Sequence, residues 1–232
     1  MKVGVVTFPG SNCDRDMLYV SDQIFNLDTV SLWHKDTDIQ GCDCIILPGG
    51  FSYGDYLRSG AIARFSPIMD EVIKFANSGG LVLGICNGFQ ILCETGLLPG
   101  VLLHNESRLF ICENRYITPV SSDSGLTSEL SEGKAFKIPV AHAEGNFFVD
   151  DEGLRELKDN DQILFKYCDE NCDIVSQSNP NGSKENIAGI RNKAGNVFGM
   201  MPHPERACDP DLHNTDGKGF FESLFKLKTA EV

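Results

Sequence analysis

The sequence lacks the apolar segment of roughly 18 residues that a membrane-spanning helix requires. Its first ten residues, MKVGVVTFPG, contain one short apolar run at positions 3–6, which is too short for the core of a secretory signal. Basic clusters are also missing, because no run of five basic residues occurs anywhere in the sequence. Asp and Glu number 33, Lys and Arg number 20, and the formal net charge is −13. Because phosphate-binding surfaces need clustered Lys and Arg, we expect no nucleic-acid partner, no membrane association and a solvated acidic exterior.

The nine cysteines are not the even set that a complete disulfide framework needs. Several lie inside apolar runs, where a free thiol packs as a small hydrophobic group. This usage is typical of a reducing compartment and predicts a cytoplasmic protein. The pairs Cys42-x-Cys44 and Cys168-x3-Cys172 lack a second paired cluster with the spacing of a tetrahedral site. We therefore expect ordinary thiols and no bound metal.

Short apolar runs alternate with helical patterns in the first half of the chain. Strands that are buried on both faces and joined through helices favour a mainly parallel central sheet with helices on both faces. The predicted fold class is therefore α/β, with residues 1–232 in a single domain and a surface loop at 171–186. The predicted strands are residues 3–7, 29–33, 44–47, 81–85, 115–120, 135–140, 163–167, 187–191 and 197–201. The predicted helices are residues 14–25, capped near Asn12, the segment between Ser66-Pro67 and Gly79-Gly80, residues 87–95 and residues 219–227.

The most specific motif is Gly84-Ile85-Cys86-Asn87-Gly88, between a predicted strand and a predicted helix. Gly-x-nucleophile-x-Gly at such a junction is typical of a nucleophile elbow, a tight turn whose small neighbours leave the central side chain clear of the sheet. A helix N-terminus stabilises a thiolate, so Cys86 is the candidate nucleophile, and the backbone N–H of Asn87 would face the oxyanion. The alternative is that Gly84 and Gly88 only pack the strand against the helix.

A thiolate nucleophile needs a base and a group that orients the base, and the segment Pro202-His203-Pro204-Glu205 offers both. The flanking prolines favour an extended backbone, in which side chains two residues apart project to the same side. Glu205 would then bind one ring nitrogen of His203 while the other nitrogen faces the thiol. The alternative is an ordinary histidine that follows a strand.

Pro48-Gly49-Gly50 follows the predicted strand 44–47, at the edge of an α/β sheet where ligands bind. Paired glycines let a backbone N–H approach a substrate oxygen closely. Gly50 is therefore a candidate second oxyanion donor. A plain tight turn is the alternative interpretation.

Together these segments resemble the class I, triad-type glutamine amidotransferase family, which implies a flavodoxin-like α/β fold. Residues 84–90, Gly-Ile-Cys-Asn-Gly-Phe-Gln, and residues 203–205, His-Pro-Glu, match its two catalytic motifs, and residues 48–50 match its oxyanion loop. The resemblance runs from residue 3 to about residue 225. Three further segments, residues 8–14, 49–63 and 141–145, resemble the glutaminase subunits of purine biosynthesis, and the long glycine-rich segment 49–63 is the one that narrows the resemblance to them.

The resemblance implies a reaction on L-glutamine. The thiolate attacks the side-chain carboxamide, ammonia departs, and water hydrolyses the glutamyl thioester to glutamate. The base protonates the departing ammonia and then activates the water. The implied catalytic residues are Cys86, His203 and Glu205, and the implied oxyanion and substrate-binding residues are Gly50, Asn87 and Gln90.

The resemblance also implies partners. Ammonia would pass to a separate synthetase subunit that uses ATP and Mg to convert formylglycinamide ribonucleotide into formylglycinamidine ribonucleotide. A small third subunit would complete the complex. The chain has no Gly-x4-Gly-Lys-[Ser/Thr] loop, so no cofactor is expected in the chain itself.

Three alternative functions stay open. A hydrolase on a related fold, such as a cysteine peptidase or a γ-glutamyl hydrolase, also uses an elbow cysteine and a histidine, although Gln90 and Glu205 favour the amidotransferase. A flavodoxin-like binding module would keep the elbow for packing alone. A glutaminase could feed a different acceptor, against which the segment 51–63 argues. The roles of His142 and of the loop 168–186 are also open, and His213 is expected in a solvated loop.

Overall fold

The computed structural model describes residues 1–121, 125–131 and 133–229. Within these residues the chain forms eleven strands and five α-helices. The strands are β1 (Lys2–Thr7), β2 (Asp28–Trp33), β3 (Cys44–Leu47), β4 (Leu81–Ile85), β5 (Val101–Leu103), β6 (Ile111–Pro119), β7 (Phe136–His142), β8 (Asn146–Phe148), β9 (Ile163–Cys168), β10 (Ile187–Arg191) and β11 (Val197–Met200). The helices are α1 (Asp14–Tyr19), α2 (Pro67–Asn77), α3 (Asn87–Glu94), α4 (Asp151–Asp159) and α5 (Lys218–Thr229).

The chain divides into two compact units. The first is Met1–Leu98 with Asn196–Gly199, and the second is Pro99–Gly195 with Met200–Val232. The prediction of one domain over residues 1–232 stays a prediction. In the part of the chain that the structure describes, no helix has the length and apolar character needed to cross a bilayer.

The first unit contains a sheet with the strand order β2-β1-β3-β4-β11. β1 pairs in parallel with β2 and β3, and β3 pairs in parallel with β4. Every residue of β3 and β4 is buried, as their continuous apolar runs predict for a parallel sheet covered on both faces. Leu47 on β3 pairs with Gly84 on β4, so the loops that follow these two strands leave the sheet at the same edge. Those loops carry Gly50 and Cys86.

The second unit is built from antiparallel strand pairs. β6 pairs with β7 and β9, and β9 pairs with β10, which gives the order β10-β9-β6-β7, while β5 and β8 form a separate two-stranded sheet. Helix α5 packs its Phe220 ring against Phe136 and Phe165, with ring centroids 5.6 and 5.0 Å apart. The predicted α/β class is confirmed, and the antiparallel strand pairs belong to the second unit.

Element boundaries follow the sequence prediction closely where apolar runs are continuous. β3, β4 and β10 match their predicted residues, and the other six predicted strands differ from the observed ones by one to four residues at their ends. Helix α1 begins after Cys13 and continues as a π-helical turn, Val20–Ile24, to the end of the predicted helix.

Three elements, β5, β8 and α4, are missing from the prediction. β5 and β8 have three residues each, which is too short for a periodic signal. Helix α4 buries only Leu154 and Leu157, so its apolar stripe is narrow. The start of α4 nevertheless has a sequence signal, since Asp150 is an N-cap residue. Its carboxylate accepts a hydrogen bond from the N–H of Gly153 at 2.8 Å.

The expectation of a surface loop at 171–186 is wrong for the end of this segment. Nδ2 of Asn186 donates to the carbonyl oxygens of Tyr167, at 3.1 Å, and of Val175, at 2.8 Å. The polar composition therefore serves buried backbone groups rather than solvent. The buried polar residues of the segment are Ser178, Asn181, Ser183 and Asn186.

Candidate active site

Cys86 connects β4 to α3 in a strained conformation. Its backbone has φ 50° and ψ −105°, which lies outside the regions that L-residues favour, and it immediately precedes the first turn of α3. Strain of this kind costs about 1–3 kcal/mol and persists where the surrounding structure fixes it. The residue is 4% exposed. This is the geometry of the predicted nucleophile elbow.

Gly84 and Gly88 bring α3 directly onto the sheet. A Cβ at Gly88 would overlap the carbonyl oxygen of Leu47, and a Cβ at Gly84 would lie 2.5 Å from Cδ1 of Leu92. No other residue type fits either position without a shift of backbone or core. These glycines therefore both pack α3 against the sheet and permit the tight turn at Cys86.

The loop that carries Gly50 is held from both sides. The carbonyl oxygen of Gly49 accepts from the N–H of Cys13 at 3.3 Å, and the N–H of Phe51 donates to the carbonyl oxygen of Gly10 at 2.9 Å. Gly50 itself has φ +140°, and a Cβ there would lie 2.8 Å from the backbone N of Asn12. The loop is thus more constrained than a plain tight turn.

The Asn87 side chain joins the elbow to the loop after Gly50. Its Oδ1 accepts from the N–H of Ser52 at 3.1 Å. Its Nδ2 donates to Oε1 of Gln90 at 2.8 Å and to Oδ1 of Asp55 at 3.3 Å. Sequence reasoning assigned only the backbone N–H of Asn87, and missed this side-chain network.

The other thiols fall into distinct environments. Burial raises the pKa of Cys42, Cys93 and Cys208, and raises the pKa of Cys168 to about 12. Cys112, in contrast, is exposed.

Cys13 also precedes a helix, the six-residue α1. Its thiol donates to Oδ1 of Asn12 at 3.1 Å, and the residue is buried. A helix N-terminus is therefore not unique to Cys86, whereas the strained strand-to-helix turn distinguishes Cys86 from Cys13.

His203 and Glu205 form a buried pair in the second unit. Nδ1 of His203 lies 2.6 Å from Oε1 of Glu205, and both side chains are at most 1% exposed. Because a carboxylate oxygen accepts, the Nδ1 atom of His203 carries the proton of this hydrogen bond, and Nε2 is the ring atom left to exchange a proton. The N–H of His203 donates to the carbonyl oxygen of Pro139 on β7 at 2.8 Å, which anchors the segment to the sheet. The predicted contact between the two side chains is present.

His142, whose role the sequence left open, lies at the centre of a buried amide cluster. Nδ2 of Asn105 donates to the carbonyl oxygens of Leu109 and His142, so its Oδ1, 3.1 Å from Nδ1 of His142, is the acceptor of the ring N–H. Nδ2 of Asn181 lies 3.5 Å from Nε2 of the same ring. Burial, and then the charge of His203, lower the pKa of His142 to about 4. The ring is therefore neutral at physiological pH.

The predicted site residues fall into two groups. Gly50, Cys86, Asn87 and Gln90 belong to the first unit, and His203 and Glu205 belong to the second. Hydrogen bonds connect Gln90 to Cys86 and Asn87, and His203 to Glu205, and the joining of the two groups in one triad stays a prediction. His213 is exposed, as expected.

Comparison with known proteins identifies the class of this fold and these motifs. A model of the CobB/CobQ-like glutamine amidotransferase domain matches residues 1–225, and the chain belongs to this family. The resemblance to glutamine amidotransferases found in the sequence is therefore confirmed.

Within this class, some of the similar proteins have more specific names. The chain is 53% identical over 227 residues to the phosphoribosylformylglycinamidine synthase subunit PurQ of Chlorobium chlorochromatii (strain CaD3), covering 98% of this chain and 97% of that protein. A chain in the structure of PurLQS from Thermotoga maritima aligns with a TM-score of 0.84 and 40% identity, covering 97% of this chain and 98% of that one. A glutamine amidotransferase of Thermotoga maritima aligns with a TM-score of 0.61 at 15% identity, over 97% and 96% of the two chains, and shows the shared fold alone.

Proposed function

We propose that this chain is the glutamine-hydrolysing component of a phosphoribosylformylglycinamidine synthase and acts in purine biosynthesis. The observation that carries the proposal is the 53% identity, over nearly the full length of both chains, to subunits of that enzyme. The elbow at Cys86 and the buried His203–Glu205 pair support it, because they supply the nucleophile and the oriented base that amide hydrolysis needs.

In the proposed reaction the thiolate of Cys86 attacks the side-chain carboxamide carbon of glutamine. The negative oxygen that forms would accept hydrogen bonds from the backbone N–H groups of Gly50 and Asn87. The N–H of Asn87 lies in the first turn of α3, where backbone N–H groups have no partner within the helix. Gln90 would line the glutamine pocket.

His203 would then move protons at Nε2. It protonates the departing ammonia, which leaves a glutamyl thioester on Cys86, and next accepts a proton from the water that hydrolyses the thioester. Glu205 holds Nδ1 at 2.6 Å, so it fixes the tautomer and stabilises the cation that forms on the ring.

The proposal includes the partners and the location. Ammonia passes to a synthetase subunit that binds ATP and Mg and converts formylglycinamide ribonucleotide into the amidine, and a small third subunit completes the assembly. The similarity to a chain of the PurLQS structure supports this composition. We propose that this chain itself binds neither cofactor, and that it works in the cytoplasm with the biosynthetic enzymes it resembles.

Partner dependence gives the first test. Glutamine hydrolysis is measured for the chain alone and for the chain reconstituted with the synthetase and small subunits, ATP and formylglycinamide ribonucleotide. We expect slow hydrolysis by the chain alone and faster hydrolysis in the complex, because the partners' binding energy selects the competent site. Glutamine-driven amidation by the chain without partners would overturn the proposal.

Thiol labelling gives the second test. An electrophilic glutamine analogue, added below the protein concentration, should modify Cys86, and peptide mass spectrometry locates the adduct. Iodoacetamide should instead label the exposed Cys112, so a Cys112→Ser chain is the matched background. Predominant labelling by the analogue at any other cysteine would contradict the assignment of the nucleophile.

A further inference from the structure

The side chain of Asn87 makes three hydrogen bonds to three different residues while it is 1% exposed. Its orientation follows from its partners. The N–H of Ser52 can only donate, so the amide atom that faces it is the oxygen. The other amide atom is therefore the nitrogen, and it donates to Oε1 of Gln90 and to the carboxylate of Asp55.

The segment that Asn87 holds is strained. Residues 53, 54 and 55 all have positive φ, at 55°, 74° and 53°, although only the middle one is glycine. Such backbone persists only where contacts over-determine it. Asn87 bonds both ends of this turn, at Ser52 and at Asp55, and Ser52 lies two residues beyond Gly50.

We propose that the side-chain amide of Asn87 is a positioning group that sets the spacing between the two oxyanion donors and fixes the orientation of the Gln90 amide. The inference rests on the proposed function. One donor, the N–H of Asn87, and the loop that carries the other, Gly50, are joined through the Asn87–Ser52 bond. Because Oε1 of Gln90 accepts from Nδ2 of Asn87, the oxygen of the Gln90 amide is turned towards Asn87, and this sets which way its NH2 group, which can only donate, is directed.

Asn87→Asp separates these roles. The aspartate keeps the shape, and one of its oxygens can still accept from the N–H of Ser52. Its second oxygen faces Oε1 of Gln90 and the carboxylate of Asp55, and can donate to neither when it is ionised. We expect the Gln90 amide to rotate, which raises KM about 10-fold, and repulsion by Asp55 to displace the turn, which lowers kcat about 10-fold.

The double variant N87D/D55N isolates the effect of losing the hydrogen bond between residue 87 and Gln90. Removing the Asp55 charge relieves the repulsion, so kcat should return to within about two-fold of wild type while KM stays high. Asn87→Ala, which cannot accept from Ser52, should lower kcat about 100-fold and should not be rescued by Asp55→Asn.

Acid should also rescue N87D. Burial and the Asp55 charge raise the pKa of the new carboxyl group, and its protonated form can donate to Gln90. The activity of N87D relative to wild type should therefore rise as pH falls. The other ionisable groups on the loop, on the turn Ala63–Phe65 that follows it and on α3 are Tyr53, Tyr56, Arg64, Cys86, Cys93 and the ion pair of Arg58 with Glu94, in which Nε lies 2.6 Å from Oε1. They are present in both proteins, so the ratio of the two activities reports on the substituted carboxyl group.

The assays use the full chain in complex with its synthetase and small subunits. Asn196→Asp is the matched control, because Nδ2 of Asn196 donates to the carbonyl oxygens of Ala76 and Gly80, both at 2.8 Å, at the end of α2. It should lower the melting temperature and leave kcat and KM unchanged.

Variants of Asn87 that match wild type in kcat and KM, or that lower only the melting temperature as N196D does, would overturn the positioning role. A wild-type complex that fails to hydrolyse glutamine would overturn the proposed function, and this role with it. If N87D fails to fold, N87D/D55N tests the prediction, because the charge repulsion is absent from it.

Discussion

The region around Cys86 and the region around His203 fix their functional groups by different means. In the first unit the backbone at Gly50 and Gly88 is positioned by steric contact, because no Cβ fits there, and the Asn87 hydrogen bonds add to it. In the second unit position is set by hydrogen bonds between buried polar groups, such as the 2.6 Å bond from His203 to Glu205. The glycines of the first region therefore tolerate no added atoms, whereas the His203–Glu205 pair of the second tolerates no lost partner.

Among the changes that test this comparison, the largest effect should come from His203→Asn. The proposed base is lost, and glutamine hydrolysis by the complex should fall by about 10²–10⁴-fold. Glu205→Gln keeps a hydrogen-bond acceptor but loses the charge, so it should retain a larger, measurable fraction of kcat. The exposed His213, which has φ 54°, supplies the control His213→Asn, and this change should leave kcat unaltered. Wild-type kcat in Glu205→Gln at saturating glutamine would remove Glu205 from the triad.

For the sterically constrained region around Cys86, we predict that one added methyl group has a large effect on stability. Gly88→Ala puts a Cβ on the carbonyl oxygen of Leu47, so the free energy of unfolding should fall by about 3 kcal/mol. Gly79→Ala meets no atom within 4 Å, but Gly79 has φ +92°, so this control should cost only about 1 kcal/mol. Urea denaturation measures both, and equal losses would contradict the steric account of Gly88, which has no positive φ of its own.

For the region of buried hydrogen bonds in the second unit, we predict that the free energy of unfolding depends on pH. His142 has a pKa of about 4 in the folded chain and about 6.5 when it is unfolded. The unfolded chain therefore takes up the proton first as pH falls, and the free energy of unfolding should drop between pH 6.5 and 4 by at most about 3 kcal/mol. His142→Gln should flatten this part of the curve and leave the region above pH 7 unchanged. An identical slope in both proteins from pH 6.5 to 4 would contradict the assigned pKa.

The steric region was largely predictable from the sequence. Gly84, Cys86 and Gly88 are close neighbours in the chain, and their spacing alone reports a tight strand-to-helix turn. His203 and Glu205 are two residues apart, so their contact also follows from local geometry.

Contacts between distant polar residues were not predictable. Asn105 and His142 are 37 residues apart, and Asn87 and Ser52 are 35 residues apart. A buried amide has no periodic signal, because its partners are backbone groups and side chains that only the folded chain brings together. For the same reason the segment 171–186 has the composition of a solvated loop although four of its polar residues are buried.

The most direct test of the proposed function is the source of nitrogen used by a Cys86→Ala complex. The variant chain is assembled with the synthetase and small subunits, ATP and formylglycinamide ribonucleotide, and amidine formation is measured with glutamine and, separately, with ammonium salt. In the proposed mechanism Cys86 forms the thioester but takes no part in the synthetase step, so we expect ammonia-driven amidation at the wild-type rate and no glutamine-driven amidation. Glutamine-driven amidation at the wild-type rate by the Cys86→Ala complex would contradict the assignment of Cys86 and of the glutaminase function.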